Sequence, residues 1–239
     1  MAWRLSLLFA MLLALMVFSA SNQSLFLTLH HGLQWLPAVC WRLLSMLGEW
    51  TLVIAVLLWQ VSRQPQLLAR TVLAVLAGIA AAILLKASFA EPRPSLVLPA
   101  GSVRLLDVLP ANGAFPSGHA MAAALLSGLL LAGRALSWQL SGLALVLLVC
   151  LSRLAIGVHW PQDVLAGAAV GYALVALAGL VPPWTWRWTR ALLQLLLLVS
   201  VAVALWKLQR GLVNESYLGY NLLVLLLAAL VWRQNKNGA

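Results

Sequence analysis

Long apolar runs separated by short polar segments dominate the chain. An α-helix needs about 20 mostly apolar residues to cross a bilayer, and only helices and closed barrels pair all their backbone groups there. The runs are continuous and do not alternate as barrel strands do, which favours helices. We therefore predict an all-α, polytopic transmembrane helix bundle. Its spans are predicted near residues 4–20, 46–62, 68–88, 118–136, 139–156, 162–181, 190–207 and 218–232.

Composition agrees with this pattern, because 64% of the residues are hydrophobic and only 8% are charged, which excludes an ordinary soluble domain. Residues 1–181 are predicted to form a six-helix core. Residues 190–232 follow the break at Pro182 and Pro183, and are predicted to form an additional transmembrane hairpin. The small residues of GAAVG, 167–171, predict close packing of the sixth helix against a neighbour.

Charge predicts the orientation of the bundle. An even number of spans puts both termini on one side, and by the positive-inside rule the side rich in arginine is cytoplasmic. The loops and termini of that side carry Arg4, Arg63, Arg70, Arg134, Arg187, Arg190, Arg233 and Lys236. The first span also resembles a secretory signal peptide, but its cleavage would leave an odd number of spans, so we expect it to be retained.

The net charge of +10 comes from scattered cations, which suits a bilayer and argues against nucleic acid as a partner. Several side chains are expected to be ordinary membrane features. Tryptophans near the span ends, Trp50 and Trp160 among them, are expected in aromatic belts. His30 and His31 are expected to be solvated in the first outer loop, and Lys207 to snorkel to the interface. No disulfide is expected between Cys40 and Cys150.

The remaining polar residues form three clusters at the predicted outer face. The first is KASFAEPRPS, 86–95, with Lys86 and Arg93. The second is PSGHA, 116–120, which opens the fourth span. The third is SRLAIGVHWPQD, 152–163, with Arg153, His159 and Asp163. Outer-face cations contradict the positive-inside rule, so we expect these cations to have a function.

His159 and Asp163 are four residues apart, at a point where Trp160 and Pro161 are expected to start a helix. On one helix face, the carboxylate accepts a hydrogen bond from one imidazole nitrogen and leaves the other as a base or nucleophile. A metal-ligand pair has the same spacing. A metal site would need further acidic or sulfur ligands, whereas the neighbouring residues here are cations, so we predict no metal and no cofactor.

The three cations and two histidines predict an anion site, and phosphate is the anion that fits best. Lys86, Arg93 and Arg153 would bind its oxygens, together with the backbone N–H groups of Ser117 and Gly118 at a helix N-terminus. In phosphoryl transfer, His159 would attack phosphorus in line and His119 would protonate the leaving oxygen.

These motifs resemble the type 2 phosphatidic acid phosphatases, which share a core with vanadium-dependent haloperoxidases. The family pattern K-x6-RP, PSGH and SR-x5-H-x3-D is complete here, over about residues 46–181. The resemblance implies a helical core, metal-independent hydrolysis at the outer leaflet and a histidine nucleophile matching His159. It also implies that Asp163 orients this nucleophile, that His119 is the acid, and that the phosphate ligands are Lys86, Arg93, Ser117, Gly118 and Arg153. Family members commonly have six spans, so the hairpin departs from the pattern.

From these observations we expect a lipid phosphatase of the bacterial inner membrane with its active site facing the periplasm. Undecaprenyl diphosphate is the favoured substrate, by analogy alone. Phosphatidylglycerol phosphate, phosphatidic acid, lipid A phosphates and lipid phosphotransfer remain open, and the oligomeric state is not predicted. A different class is a non-enzymatic protein that binds or transports a lipid headgroup. The linker 95–115 is expected to cap the site or to lie along the interface as a short helix.

Overall fold

The computed structural model describes residues 1–183, 189–209 and 215–237, with side chains described for all of these except 190, 215–220 and 234–237. The regular secondary structure within these ranges is helical, which confirms the predicted all-α class. In chain order the helices are α1 (Ala2–Phe18), α2 (Asn22–Gly32), α3 (Ala38–Met46), α4 (Trp50–Arg63), α5 (Leu68–Phe89), α6 (Pro94–Val97), α7 (Gly118–Leu130), α8 (Leu136–Ile156), α9 (Pro161–Ala178), α10 (Thr189–Gln209) and α11 (Glu215–Asn237). A 3-10 helix, Pro65–Leu67, precedes α5.

Every predicted span contains a helix, and two further helices occupy the segment that was predicted as the first outer loop. The axes of α1 and α2 are bent by 111°, and those of α3 and α4 by 45°. Within the described residues, four helices are long and apolar enough to cross a membrane, or up to six if each bent pair counts as one span. The chain is therefore a multi-pass membrane protein.

Helix α7 is shorter than the predicted span 118–136. It ends at Leu130, before a turn in which Gly133 has a φ of +73°. Its 13 residues rise about 20 Å, which is less than the roughly 30 Å of a bilayer core. The predicted span was too long because hydropathy counts Ala132 and Gly133 as apolar. It does not register that a glycine with positive φ ends a helix. The helix is a buried core element, and residues 120–125 are fully buried.

Close packing between α7 and α9 forms the centre of the bundle, with α1 and α8 beside it. A Cβ atom at Gly167 would overlap the carbonyl oxygen of Ser117, and one at Gly171 would lie 2.5 Å from that of Met121. The predicted contact of the small-residue pattern is thereby confirmed, since only glycine lets the two backbones approach this closely.

We expect Gly167→Ala to lower the thermal stability of the protein in detergent, because the added methyl group forces α7 and α9 apart. A cost of about 1–3 kcal/mol is typical of such overpacking. Gly32→Ala is the matched control, since a Cβ there would meet nothing within 4 Å. Equal unfolding temperatures for the two variants would contradict the packing argument.

Helices α10 and α11, in the predicted hairpin, pack against each other and against α4, and α11 also contacts α3. Lys207 was predicted to snorkel but is instead paired with Glu49 at the start of α4. The reason is electrostatic: the ammonium group of Lys207 gains more from its attraction to the partly buried carboxylate of Glu49 than from exposure at the membrane interface. Arg187, predicted on the cytoplasmic side, and three of the tryptophans predicted in aromatic belts, Trp184, Trp186 and Trp188, fall outside the described residues.

Two aromatic side chains predicted at the membrane interface, His30 and Trp160, lie inside the protein, and a third, Trp50, is half-buried. His30 is fully buried, its Nδ1 donating to the Leu154 carbonyl (2.9 Å) and its Nε2 accepting from the Arg104 N–H (3.0 Å). Trp160 is 6% exposed, and its indole nitrogen donates to the Pro92 carbonyl. Trp50 packs against Gly78 of α5. Each occurs where chain segments distant in sequence meet, which local hydropathy does not reveal. His31, in contrast, is exposed as predicted.

Candidate functional site

The turn between α8 and α9 orients the predicted His159–Asp163 pair. Helix α8 ends at Gly157, whose φ of +86° suits glycine, and α9 begins at Pro161. Asp163, in the first turn of α9, accepts from the Trp160 N–H through Oδ2 (2.7 Å). The same oxygen lies 3.2 Å from Nδ1 of His159. Capping of α9 therefore holds the carboxylate against the imidazole.

His159 is almost wholly buried, with 3% of the side chain exposed. Burial, reinforced by the charges of Arg153 and Arg93, lowers the pKa of His159 well below its ordinary value. The imidazole is consequently neutral at pH 7. With the Nδ1 proton directed at Asp163, Nε2 carries the free lone pair.

Arg93 is enclosed by backbone oxygens at the end of the linker. Its Nη1 donates to the Val158 carbonyl (2.6 Å), its Nε to the carbonyls of Pro110 and Asn112 (both 3.1 Å), and its Nη2 to the Asn112 side chain (2.8 Å). The guanidinium group thus joins the linker to the residue preceding His159. Arg93 is 2% exposed, and these hydrogen bonds orient its planar guanidinium group.

Lys86, in the last turn of α5, reaches the same part of the linker. Its Nζ donates to the carbonyls of Gly113 (2.7 Å) and Ala114 (3.2 Å). An ammonium group has three N–H donors, so one remains for a ligand. The linker was expected to cap the site or to form a short interfacial helix. It forms the short helix α6 and then supplies Pro110, Asn112 and Gly113 to the wall of the site.

The PSGH motif forms the start of α7, with Ser117 as the N-cap residue. Its backbone N–H donates to the carbonyl of Asp163 (2.9 Å), which ties the start of α7 to α9. This differs from the expectation that the Ser117 N–H points at the anion, because the contact with α9 already uses it. Gly118 and His119 follow in the first turn, and both line the cavity described below.

Arg153 leaves the last turn of α8 and is 5% exposed. Its Nη1 donates to the hydroxyl oxygen of Ser45 (2.5 Å) on α3. Gly48 packs against the carbonyl oxygen of His119, where a Cβ atom would lie at 2.5 Å. The last turn of α3 therefore supports Arg153, and the segment that joins α3 to α4 supports the start of α7.

A cavity of about 680 Å³ unites these groups. Six of the eight predicted site residues line it, while Ser117 and Asp163 are fully buried next to lining residues. The six are Lys86, Arg93, Gly118, His119, Arg153 and His159. Lys86, Arg93, Arg153 and His119 are near enough to His159 to interact with it electrostatically. Residues separated by up to 73 positions therefore face one ligand-sized space.

Sequence reasoning missed three residues of the site. Trp50 and Asn112 line the cavity, and Ser45 holds Arg153. The sequence held a weak indication of Asn112. It is a polar residue of the linker that was expected to cap the site, and it lies four residues before the PSGH motif. No sequence signal identifies Ser45 or Trp50, because their roles depend on how α3 and α4 pack.

Within the described ranges, no three His, Cys, Asp or Glu side chains lie close enough together to hold a metal ion. Cys40 and Cys150 are both free. The charged groups that line the cavity are cations, an arrangement suited to a phosphate group.

A helical membrane bundle whose cavity is lined by three cations and two histidines is suited to binding a phosphate group. The chain belongs to the PAP2 superfamily, whose family model matches residues 67–192. Phosphoric ester hydrolysis is the activity this family implies.

Solved structures agree with this assignment. LpxE from Aquifex aeolicus is 27% identical with a TM-score of 0.60, and the match covers 66% of this chain and 93% of that one. A transmembrane PAP2 type phosphatidylglycerolphosphate phosphatase from Bacillus subtilis is 21% identical with a TM-score of 0.50, over 74% of this chain and 94% of that one. The second likeness concerns the fold. No curated protein matches the chain significantly.

Proposed function

We propose that this protein is a lipid phosphatase that removes the terminal phosphate of a lipid phosphate or diphosphate at the periplasmic face of the bacterial inner membrane. One observation carries the proposal. A single cavity is lined by Lys86, Arg93, Arg153 and two histidines, one of which, His159, is held by a buried carboxylate. Binding a headgroup alone would not require an oriented, neutral imidazole.

The proposed reaction has two steps. Nε2 of His159 attacks phosphorus, the bond from phosphorus to the lipid oxygen breaks, and protonated His119 gives its proton to that oxygen. Water then attacks the phosphohistidine while neutral His119 takes a proton from it, the N–P bond breaks, and phosphate leaves. Lys86, Arg93 and Arg153 stabilise the charge on the equatorial oxygens in both steps.

Each residue around the nucleophile has a proposed part in this chemistry. Asp163 keeps the proton of His159 on Nδ1, so that Nε2 is the attacking atom. Gly118 lets the phosphate approach the helix N-terminus closely. Ser117 supports the site by joining α7 to Asp163.

Undecaprenyl diphosphate is the favoured substrate, since bacteria must recycle this carrier on the periplasmic face. Phosphate release should be measured from purified undecaprenyl diphosphate, phosphatidylglycerol phosphate, phosphatidic acid and lipid A phosphates in detergent and in liposomes. Undecaprenyl diphosphate is expected to have the highest kcat/KM. Release from none of them would contradict the proposed hydrolase. Release that requires an added lipid acceptor would identify a phosphotransferase instead.

We expect chelators to leave activity unchanged within about twofold, because the proposed charge stabilisation comes from side-chain cations. Phosphate release should be compared with EDTA and with EDTA saturated by Ca²⁺, at equal ionic strength. Strong inhibition by free EDTA alone, restored by added metal, would contradict the proposed metal-independent mechanism.

A further inference from the structure

The predicted C-terminal hairpin contributes to a second cavity. It adjoins the cavity of about 680 Å³ at the candidate site, which we call the phosphate cavity. This second space of about 270 Å³ lies between α4, α5 and α10. Its walls are mainly aliphatic, and α10 provides one of them. The residues of α10 that line this space are Leu196, Val199, Ser200 and Val203. We call this space the apolar groove.

The apolar groove and the phosphate cavity are neighbours, because Trp50 and Ile79 line both. One edge of the Trp50 ring packs against Gly78 of α5. A methyl group at Gly118 would touch its indole nitrogen at 3.4 Å. Trp50 therefore lies between Gly78 of α5 and the start of α7. A molecule with its phosphate in the cavity has an apolar space beside it for part of its hydrocarbon tail.

Polar contacts attach α10 at the phosphate end of the groove. Nζ of Lys207 pairs with Oε1 of Glu49 and donates to the Thr51 hydroxyl (2.8 Å). The Thr51 hydroxyl in turn donates to Glu49 (3.1 Å). Glu49 immediately precedes Trp50 and lies near enough to His119 for electrostatic interaction. These contacts tie one wall of the apolar groove to a segment that borders the candidate site.

We propose that α10 completes a subsite for the hydrocarbon tail of the substrate, which lies between α4, α5 and α10 while its phosphate occupies the cavity. This inference rests on the proposed lipid phosphatase function. It assigns the hairpin, which the six-span pattern of the family lacks, to substrate selection. The walls that the two cavities share at Trp50 and Ile79 argue for the substrate's own tail as the occupant.

The free energy of binding a lipid tail in the groove comes from packing. A tail that leaves the bilayer for the groove exchanges one apolar surrounding for another, so the gain is close packing and not removal from water. Filling the groove should therefore weaken binding of long-tailed substrates while leaving the chemical step intact. Substrates too short to reach the groove should be unaffected.

The test compares Val199→Trp with Leu198→Trp. The two neighbouring side chains are similarly exposed, at 52% and 58%, but only Val199 lines the groove. Phosphate release should be measured in detergent from dioleoyl and from dihexanoyl phosphatidic acid. We expect Val199→Trp to lower kcat/KM for the dioleoyl lipid about tenfold, mainly through KM, and to leave the dihexanoyl lipid within about twofold. Leu198→Trp should change neither.

Equal kcat/KM values of the two variants on the dioleoyl lipid would overturn the tail subsite and leave the proposed phosphatase standing. A binding measurement tests the subsite even if the protein releases no phosphate or if the tryptophan variants fail to fold. A photoreactive amino acid at 199 should cross-link a radiolabelled dioleoyl phosphatidic acid, and the same group at 198 should not. Selective cross-linking in a protein that releases no phosphate would overturn the phosphatase alone. Equal cross-linking at both positions would indicate ordinary bilayer lipid and overturn the subsite.

Discussion

Replacing His159 with alanine is expected to lower phosphate release to about 10⁻³ of the wild-type rate or less, because the reaction loses its nucleophile. The protein should remain folded and should still bind a radiolabelled lipid phosphate, since Lys86, Arg93 and Arg153 are unchanged. Thermal unfolding and lipid binding in detergent check both points. His31→Ala is the matched control, because His31 is exposed and lies outside the cavity lining. Turnover by His159→Ala comparable to that of His31→Ala would refute the mechanism.

Substrates with different leaving groups distinguish the proposed roles of His119 and His159. A substrate with an acidic leaving group, such as an aryl phosphate, needs little protonation as its bond to phosphorus breaks. In the first turnover, before water attack on the phosphohistidine needs His119 as a base, His119→Ala should therefore lose much less rate on the aryl phosphate than on a lipid phosphate. His159→Ala should lose equally on both, because both need the nucleophile. The same leaving-group sensitivity in the two variants would contradict the assigned roles.

Replacing Arg93 with lysine is expected to lower kcat by about 10²–10³-fold, although the positive charge is kept. A lysine cannot reproduce the planar fork that binds oxygens of Pro110, Asn112 and Val158 together. The linker end and the residue before His159 would lose their common support, and one proposed phosphate ligand would be displaced. Steady-state phosphate release, with thermal unfolding beside it, measures the effect.

Arg104→Lys is the control for this substitution. Arg104 belongs to the same linker, but its side chain is exposed and does not line the cavity. We expect its activity and stability to equal those of the wild type. If Arg93→Lys kept wild-type kcat, the planar geometry of the guanidinium group would be irrelevant and only the charge at this position would matter.

Local patterns predicted much of the candidate site. The turn at Gly157 and the helix start at Pro161 follow from the conformational preferences of glycine and proline, and they bring His159 and Asp163 together. Clustering of Lys86, Arg93 and Arg153 in one cavity agrees with the argument that outer-face cations need a function. The catalytic roles of these residues stay proposals that the variants above test.

Other predictions failed where the environment of a side chain depends on distant parts of the chain. His30 looked like a solvated loop residue, but it is buried between Leu154 and Arg104. Lys207 looked like an interfacial anchor, but it pairs with Glu49, 158 residues away. Hydropathy treats each segment as though lipid or water surrounded it, so it does not register such contacts.

The sequence by itself determined the helical class, the approximate spans and the motif residues, because bilayer solvation and backbone preferences act over one helix or one turn. Tertiary structure alone decided that α10 lines the apolar groove, that Trp50 adjoins both cavities and that the Ser117 N–H is used by Asp163. Those features arise where separate helices meet. Their energies depend on interhelical distances, which periodicity and composition do not encode.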